Sequence, residues 1–157
     1  MRTFESFDVG ETFHSRGRTV TESDIRMFIG ATDAADPIHV DHEYAEAHPL
    51  VETVCAQGTL LLGIADGLLV DKLANNAALA MNYGHDKVRY LTAVYPGDTL
   101  TATLEITATD RQNDEWGKLT IRIDMVNQND ERVLIDIHRL LVGTDANPAL
   151  PDVDIVD

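Results

Sequence analysis

The stretch V-C-A-Q-G-T-L-L-L-G-I-A-D-G-L-L, from Val54 to Leu69, is apolar on nearly every face. A helix with one wet side shows a polar stripe at 3.6-residue spacing, and a helix lacking that stripe has to be enclosed by other elements. Whatever else the chain does, it must supply a layer that covers this helix. The run does not solve the problem by entering a membrane: its best apolar segment, G-T-L-L-L-G-I-A from Gly58, is far shorter than the roughly 20 residues of a spanning helix. Two features interrupt it, Gly58 near the start and Asp66 deep inside.

The covering layer is legible after Ala77, where the hydrophobic period changes from helical to two. T-L-T-A-T-L-E-I-T-A-T from Thr99 sets Leu100, Ala102, Leu104, Ile106 and Ala108 on one face and Thr101, Thr103, Glu105 and Thr107 on the other. K-L-T-I-R-I-D-M from Lys118 repeats the alternation with Leu119, Ile121, Ile123 and Met125, and R-V-L-I-D-I-H-R-L from Arg132 with Val133, Ile135 and Ile137. Y-P-G-D at Tyr95, Q-N-D-E-W-G at Gln112 and N-Q-N-D-E at Asn127 supply turns suited to antiparallel connections. The fold class is α+β: an antiparallel sheet with one apolar face lying across one very apolar helix satisfies both burial demands.

Ahead of the helix, T-E-S-D from Thr21 matches a helix-start box in which the Thr hydroxyl accepts from the third helical amide while Asp24 reaches back. Ile25, Phe28 and Ile29 follow at helical spacing, and the helix stops before Pro37. Proline fixes the backbone angle and disfavours helix in the residue before it, so the chain leading to His39 is stiff and extended. Such bracing suits an imidazole that must be aimed, and is also common at the end of any helix. Asp33 and Asp36 read most simply as helix-end and turn residues, although Asp36, three residues before His39, is placed to orient its ring.

Twelve Lys and Arg against 27 Asp and Glu leave a formal charge of −15, which argues against nucleic acid or an anionic membrane as the main partner. A halophilic source and ordinary acidity explain it equally. The single cysteine, Cys55, excludes an intramolecular disulfide and reads as a small buried thiol. The start, M-R-T-F-E-S-F-D, lacks the apolar stretch of a signal peptide, so the chain reads as a cytoplasmic protein. Residues 1–144 read as one domain and 145–157 as an acidic tail, loose or lying along the surface.

The order of capped helix, P-I-H-V-D-x-E-Y-A (Pro37 to Ala45), A-Q-G-T-L-L-L (Ala56 to Leu62), D-K-V-R-Y-L-T-A-V-Y-P-G-D-T-L (Asp86 to Leu100) and alternating strands resembles the MaoC-like dehydratases, the R-specific enoyl-CoA hydratase group with a hot-dog fold. The likeness covers roughly Asp8 to Val142. It implies a sheet wrapped around the long central helix, and two such domains paired edge to edge, as a homodimer or a dimer of dimers. It also implies reversible hydration of a trans-2-enoyl-CoA to an R-3-hydroxyacyl-CoA, with the acyl-CoA as partner and no metal or redox cofactor. A catalytically weak acyl-CoA-binding module and a hot-dog thioesterase are the alternatives.

In that family the motif commonly reads Asp-x-Asn-Pro-x-His, its Asp and His activating a water. Aligned on Pro37 and His39, this chain has Asp36 at the Asn position and Ala34 at the usual catalytic Asp, with Asp33 one residue upstream. Hydration of an unsaturated thioester needs a base for water, an acid for the α-carbon and a donor to the developing enolate oxygen. His39 suits the proton transfers because its ordinary pKa lies near neutrality. The resemblance gives the enolate oxygen to the Gly58 amide, and helix amino ends do favour negative charge. Asp66, where relatives often hold a serine beside the catalytic Asp, is the candidate for the missing carboxylate; the other reading is local capping at Gly67 or exposure near the helix end.

The remaining residues have simpler readings beside the functional ones. Gln57 stands where many relatives have His and packs the helix start at the substrate end. Lys87 and Arg89 share a strand face and, with Lys118 or Arg122, are candidates for the CoA phosphates, or else solvated strand residues. His39, His42 and His48 form no recognisable metal pattern, having neither a thiolate partner nor H-E-x-x-H.

Overall fold

In the computed structural model, which describes residues 1–147, short strands β1 (Thr12–His14) and β2 (Arg18–Thr19) precede the helices α1 (Glu22–Thr32), α2 (His42–Ala47) and α3 (Gly58–Lys72). Four long strands then follow: β3 (Ala80–Tyr90), β4 (Thr99–Arg111), β5 (Trp116–Val126) and β6 (Arg132–Gly143). Every pairing among them is antiparallel, in the order β1-β4-β5-β6-β3, with β2 also on β4. Within the acidic tail, Asp145 is tied down through its amide to Glu5 Oε2 at 3.0 Å and its carboxylate to Thr3 Oγ1 at 2.5 Å; residues 148–157 lie outside the described residues.

The two strands with the clearest alternation behave as read. Leu100, Leu104 and Ile106 of β4 and Leu119, Ile121, Ile123 and Met125 of β5 are buried, while Thr101, Thr103, Glu105 and Thr107 are exposed. A bulge between Ile106 and Ala108 ends the pattern and leaves Ala108 half-buried. The apolar face packs on Leu61, Ala65, Leu68 and Leu69 of α3 in one cluster with Val20 and Ile25. At about 1.5–3 kcal/mol for each buried aliphatic side chain, this contact is the main stabilising term. The start box of α1 is present in full: Asp24 N–H donates to Thr21 Oγ1 at 3.2 Å and Thr21 N–H to Asp24 Oδ2 at 2.7 Å.

Three expectations are corrected. α3 starts at Gly58, four residues later than the apolar run, because Val54–Gln57 is a buried, non-helical lead-in with amides that bond elsewhere, Cys55 N–H to Ile38 O and Ala56 N–H to Val94 O. Periodicity alone does not separate a buried extended run from a helix. Nor is α3 enclosed all round: Thr59, Gly63, Gly67 and Val70 are exposed.

The third correction matters most. β6 turns Leu134, Asp136, His138, Leu140 and Val142 inward, all at most 2% exposed, whereas Ile135 and Ile137 lie on the outer face, half-buried. Directly opposed residues of an antiparallel pair share a face. The register Ile121↔His138, Ile123↔Asp136 and Met125↔Leu134 therefore forces β6 to follow β5, and an acid and a histidine enter the interior.

Candidate active site

His39 is aimed by successive local restraints. α1 ends at Asp33, whose backbone is left-handed (φ 58°), a conformation Asp tolerates better than most residues. Pro37 opens a 3-10 turn, Pro37–His39, closed by His39 N–H to Asp36 O at 2.8 Å. Asp41 caps α2 through Tyr44 N–H at 3.0 Å and so fixes the far side. The turn leans on the lead-in to α3, and the His39 ring meets the Cys55 carbonyl at 2.8 Å through Nδ1.

That contact decides the ring's chemistry. A carbonyl oxygen only accepts, so Nδ1 carries the proton and the neutral ring leaves Nε2 with a free lone pair. The neutral ring therefore presents Nε2, not Nδ1, as its acceptor. The Cys55 sulfur lies 3.8 Å from the same Nδ1, but burial raises the thiol pKa and keeps it protonated, which removes a thiolate nucleophile.

His39 and Gly58 line a common cavity of about 460 Å³, together with Cys55, Leu61, Tyr90 and Val94, within the 300–1,000 Å³ range of small-molecule sites. Gly58 is the first residue of α3, and the first intrahelical acceptor bond there is Leu61 N–H to Gln57 O, so the Gly58 amide has no partner within the helix. The Tyr90 ring lies directly over Gly58: a methyl built there would sit 2.8 Å from Cε2. Burial, with the negative charge of Asp136 adding, raises the Tyr90 pKa and keeps it a phenol. His48 also lines the cavity; its Nδ1 accepts Leu50 N–H at 3.3 Å, which puts the neutral ring in the opposite tautomer.

The other expected residues divide. Gln57 is buried and its Nε2 donates to Ala34 O at 3.2 Å, binding the end of α1 to the start of α3; its Oε1 has no hydrogen-bond partner. Asp33 and Asp36 stand exposed on the His39 segment, contributing backbone bonds, and neither carboxylate hydrogen-bonds the imidazole. Lys87 and Arg89 do share a face, but it is the outer face of β3, since Val88 between them packs on the core; neither lines the His39 cavity.

Asp66 does not fill the space at Ala34. Its carboxylate turns to the sheet, accepting from Asn82 Nδ2 at 3.3 Å and lying 3.4 Å from His138 Nδ1 and 3.8 Å from His85 Nε2. Asp136 completes the group, its Oδ2 2.8 Å from His85 Nδ1. Burial acts to lower the His138 pKa, but the carboxylates of Asp136 and Asp66, 3.6 Å and 3.4 Å from its Nδ1, outweigh it and push the value up to about 9. Sequence reading missed this quartet, and also Tyr90 and the Cys55 carbonyl. The available signal was D-I-H, Asp136 to His138, an acid and a histidine at a spacing that puts both on one strand face.

The model for the MaoC like domain matches residues 6–128. The chain is 32% identical to an (R)-specific enoyl-CoA hydratase of Rhodospirillum rubrum over 104 residues, covering 66% of this chain and 69% of that one. It is 29% identical to a beta-methylmalyl-CoA dehydratase of Chloroflexus aurantiacus over 157 residues, 98% of this chain but 44% of that longer protein. Among solved structures, a monoamine oxidase regulatory protein from Archaeoglobus superposes with a TM-score of 0.84 at 31% identity, covering 91% of this chain and 95% of the other. The sheet-and-helix arrangement is the hot-dog fold. Among the described residues no helix is long and apolar enough to cross a membrane.

Proposed function

The chain belongs to the MaoC-like domain family of hydratases and dehydratases, and on that premise we propose that it catalyses the reversible hydration of a trans-2-enoyl-CoA, or a related unsaturated acyl thioester, to the R-3-hydroxyacyl-CoA. The observation that carries this reading is His39, held by the Cys55 carbonyl with Nε2 free, in one cavity with the unpartnered amide of Gly58.

The scheme runs through one histidine. The thioester oxygen accepts from Gly58 N–H. His39 Nε2 takes a proton from water while the water oxygen bonds to C3, and the electron pair of the double bond passes through C2 onto the thioester oxygen as an enolate. The resulting imidazolium, now strengthening its Nδ1–H bond to Cys55 O, returns the proton to C2 and leaves the ring neutral. One water is consumed, nothing is oxidised or reduced, and CoA enters as part of the substrate. This relay needs no second carboxylate, which accommodates Ala34. A homodimer, or a dimer of such dimers, is supported by β3, a sheet edge of 11 residues with Met81 and Tyr83 exposed, since an unpaired edge of that length invites pairing.

Ala34 itself favours a second reading, an acyl-thioester-binding module with little turnover. The loss of enoyl-thioester absorbance, measured beside free thiol release from a saturated acyl-CoA, separates the readings. We expect absorbance loss with the wild type, reduced about 10²–10⁴-fold in His39→Ala. Tight acyl-CoA binding without absorbance loss supports the module, and thiol release supports a thioesterase; undiminished turnover in His39→Ala removes the scheme.

A further inference from the structure

α3 carries a second, separate piece of chemistry. Asp66 lies eight residues beyond Gly58, about 12 Å along the helix at 1.5 Å per residue. It meets a polar group that the hydration scheme does not use. His138 and Asp136 stand on the inward face of β6, 1% and 0% exposed, and His85 of β3 is the register partner of His138. The two rings pack edge to face with centroids 4.7 Å apart.

The geometry points to a divalent transition-metal site of the zinc class, held by Asp66 Oδ, His85 Nε2 and His138 Nδ1, with Asp136 behind them. Several observations converge on it. Asp66, His85, Asp136 and His138 each offer a ligand atom, all within 4.8 Å of one another. The Asp66–His138 and Asp66–His85 approaches are 3.4 Å and 3.8 Å. Ligands about 2.0–2.1 Å from a tetrahedral zinc are about 3.3 Å apart; the Asp66 Oδ1–His138 approach already has that separation, and the Asp66 Oδ2–His85 approach exceeds it by a few tenths of an ångström.

Asp136 Oδ2 accepts from His85 Nδ1–H at 2.8 Å, the arrangement by which a carboxylate fixes the tautomer of a metal-binding histidine and turns its other nitrogen to the ion. Both ring nitrogens of His138, Asp136 Oδ1 and Asp66 Oδ1 are buried without a hydrogen-bond partner. Unsatisfied polar atoms are costly in an apolar interior, whereas a cation removes that cost for Asp66 Oδ1 and for the His138 nitrogen it binds. Two carboxylates balance the two positive charges of the ion, which takes the place of the proton that His138 carries near neutral pH. Two imidazoles favour zinc, cobalt or nickel over magnesium or calcium, which prefer oxygen alone. Entry is open, because Asp66 and His85 keep 30% and 20% of their side chains exposed. The ion would staple α3 to β3 and β6, and nothing in this argument depends on the reaction assigned to His39.

The test uses the full chain, freed of any affinity tag and stripped with chelator, then titrated with Zn²⁺ and, as a spectroscopic probe, Co²⁺. We expect one ion per chain, the visible absorption of low-symmetry four-coordinate cobalt, and a Tm rise of about 5–10 °C at a hundredfold excess of Zn²⁺ over Kd. His138→Ala endangers folding, so the half-exposed ligands are replaced instead: Asp66→Asn and His85→Gln each weaken binding at least a hundredfold, while Asp136→Asn, acting through His85, weakens it about 10–100-fold. A wild type whose Tm and cobalt spectrum do not respond overturns the proposal. So does binding that is undiminished in Asp66→Asn and His85→Gln, which would assign the ion to other histidines.

Discussion

Gly58→Ala separates the chemistry of the cavity from its stability. The added Cβ would meet the Tyr90 ring at 2.8 Å from Cε2, 2.9 Å from Cδ2 and 3.0 Å from Cζ, against about 3.5–4.0 Å for a relaxed carbon contact. The ring must retreat by most of an ångström, and it has room to do so because Tyr90 is 46% exposed. The backbone raises no objection, since Gly58 has no positive φ and alanine is a better helix former than glycine. The stability change is therefore small, within about 1 kcal/mol, or a Tm shift within about 2–4 °C for a chain of this size. Activity behaves differently. The new methyl and the displaced ring both crowd the amide assigned to the enolate oxygen, and loss of one such donor costs about 10²–10³ in turnover. The assay is enoyl-thioester absorbance beside thermal unfolding by circular dichroism. Adding Tyr90→Ala divides the effect: recovery traces the loss to the ring, and persistence traces it to the methyl over the amide. Full turnover in Gly58→Ala at unchanged Tm would refute the argument, because the amide would then not be where the reacting oxygen sits.

Further outcomes follow from the same geometry. His48→Ala costs less than tenfold in hydration if His39 carries the proton both ways; a hundredfold loss would make His48 the proton donor and break the one-histidine scheme. Asp66→Ala leaves turnover within a few-fold of wild type in metal-free buffer, since its carboxylate faces His85 and His138; a loss above a hundredfold would restore it to catalysis. Asp24→Ala removes a capping-box acceptor and the Arg18 pair at 2.6 Å, costing about 1 kcal/mol or roughly 2–4 °C in Tm. Burial opposes the charge of Asp24, but hydrogen bonds from Arg18 and Thr21 outweigh it and hold its pKa below the ordinary value. Its contribution is thus present above the unfolded pKa of about 3.9 and lost as the pH falls through the lower folded value. The Tm gap between wild type and Asp24→Ala is expected at pH 7 and should close in strong acid; a gap unchanged there would detach the cap from ionisation.

What the sequence disclosed was local. Thr21 and Asp24 are three residues apart and their bonds are made within one turn, so the start of α1 was readable. β4 and β5 were readable because Thr, Glu and Lys alternate with Leu and Ile, leaving one arrangement open. In V-L-I-D-I-H-R-L-L-V both alternating sets contain aliphatics, and the more apolar set, Val133, Ile135 and Ile137, suggests the wrong face for Ile135 and Ile137, while Val133 at the start of the strand is buried as expected. The face of β6 is decided by its register with β5, a non-local fact. The tautomer of His39 is equally non-local, resting on a carbonyl 16 residues away. Sequence patterns break where interior positions hold polar groups, and such places are commonly functional.

α3 shows why two sites fall on one helix. Its buried residues are Leu61, Ala65, Leu68 and Leu69, so its face toward the sheet has little that can hydrogen-bond except at two places: the free amides at its amino end and the carboxylate of Asp66. At Gly58 the missing partner is an acceptor, supplied by a ligand oxygen that gains negative charge during reaction. At Asp66 the missing partner is a cation, and the neighbouring imidazoles arrive from β3 and β6 to share it, His138 exchanging its proton for the ion. These demands have opposite sign and lie about two turns apart, so one cannot answer the other. Two sites on one helix follow from that separation: a carboxylate turned toward His39 would leave His138 without its Asp66 partner, and one turned toward His138 leaves the proton relay to the histidine alone.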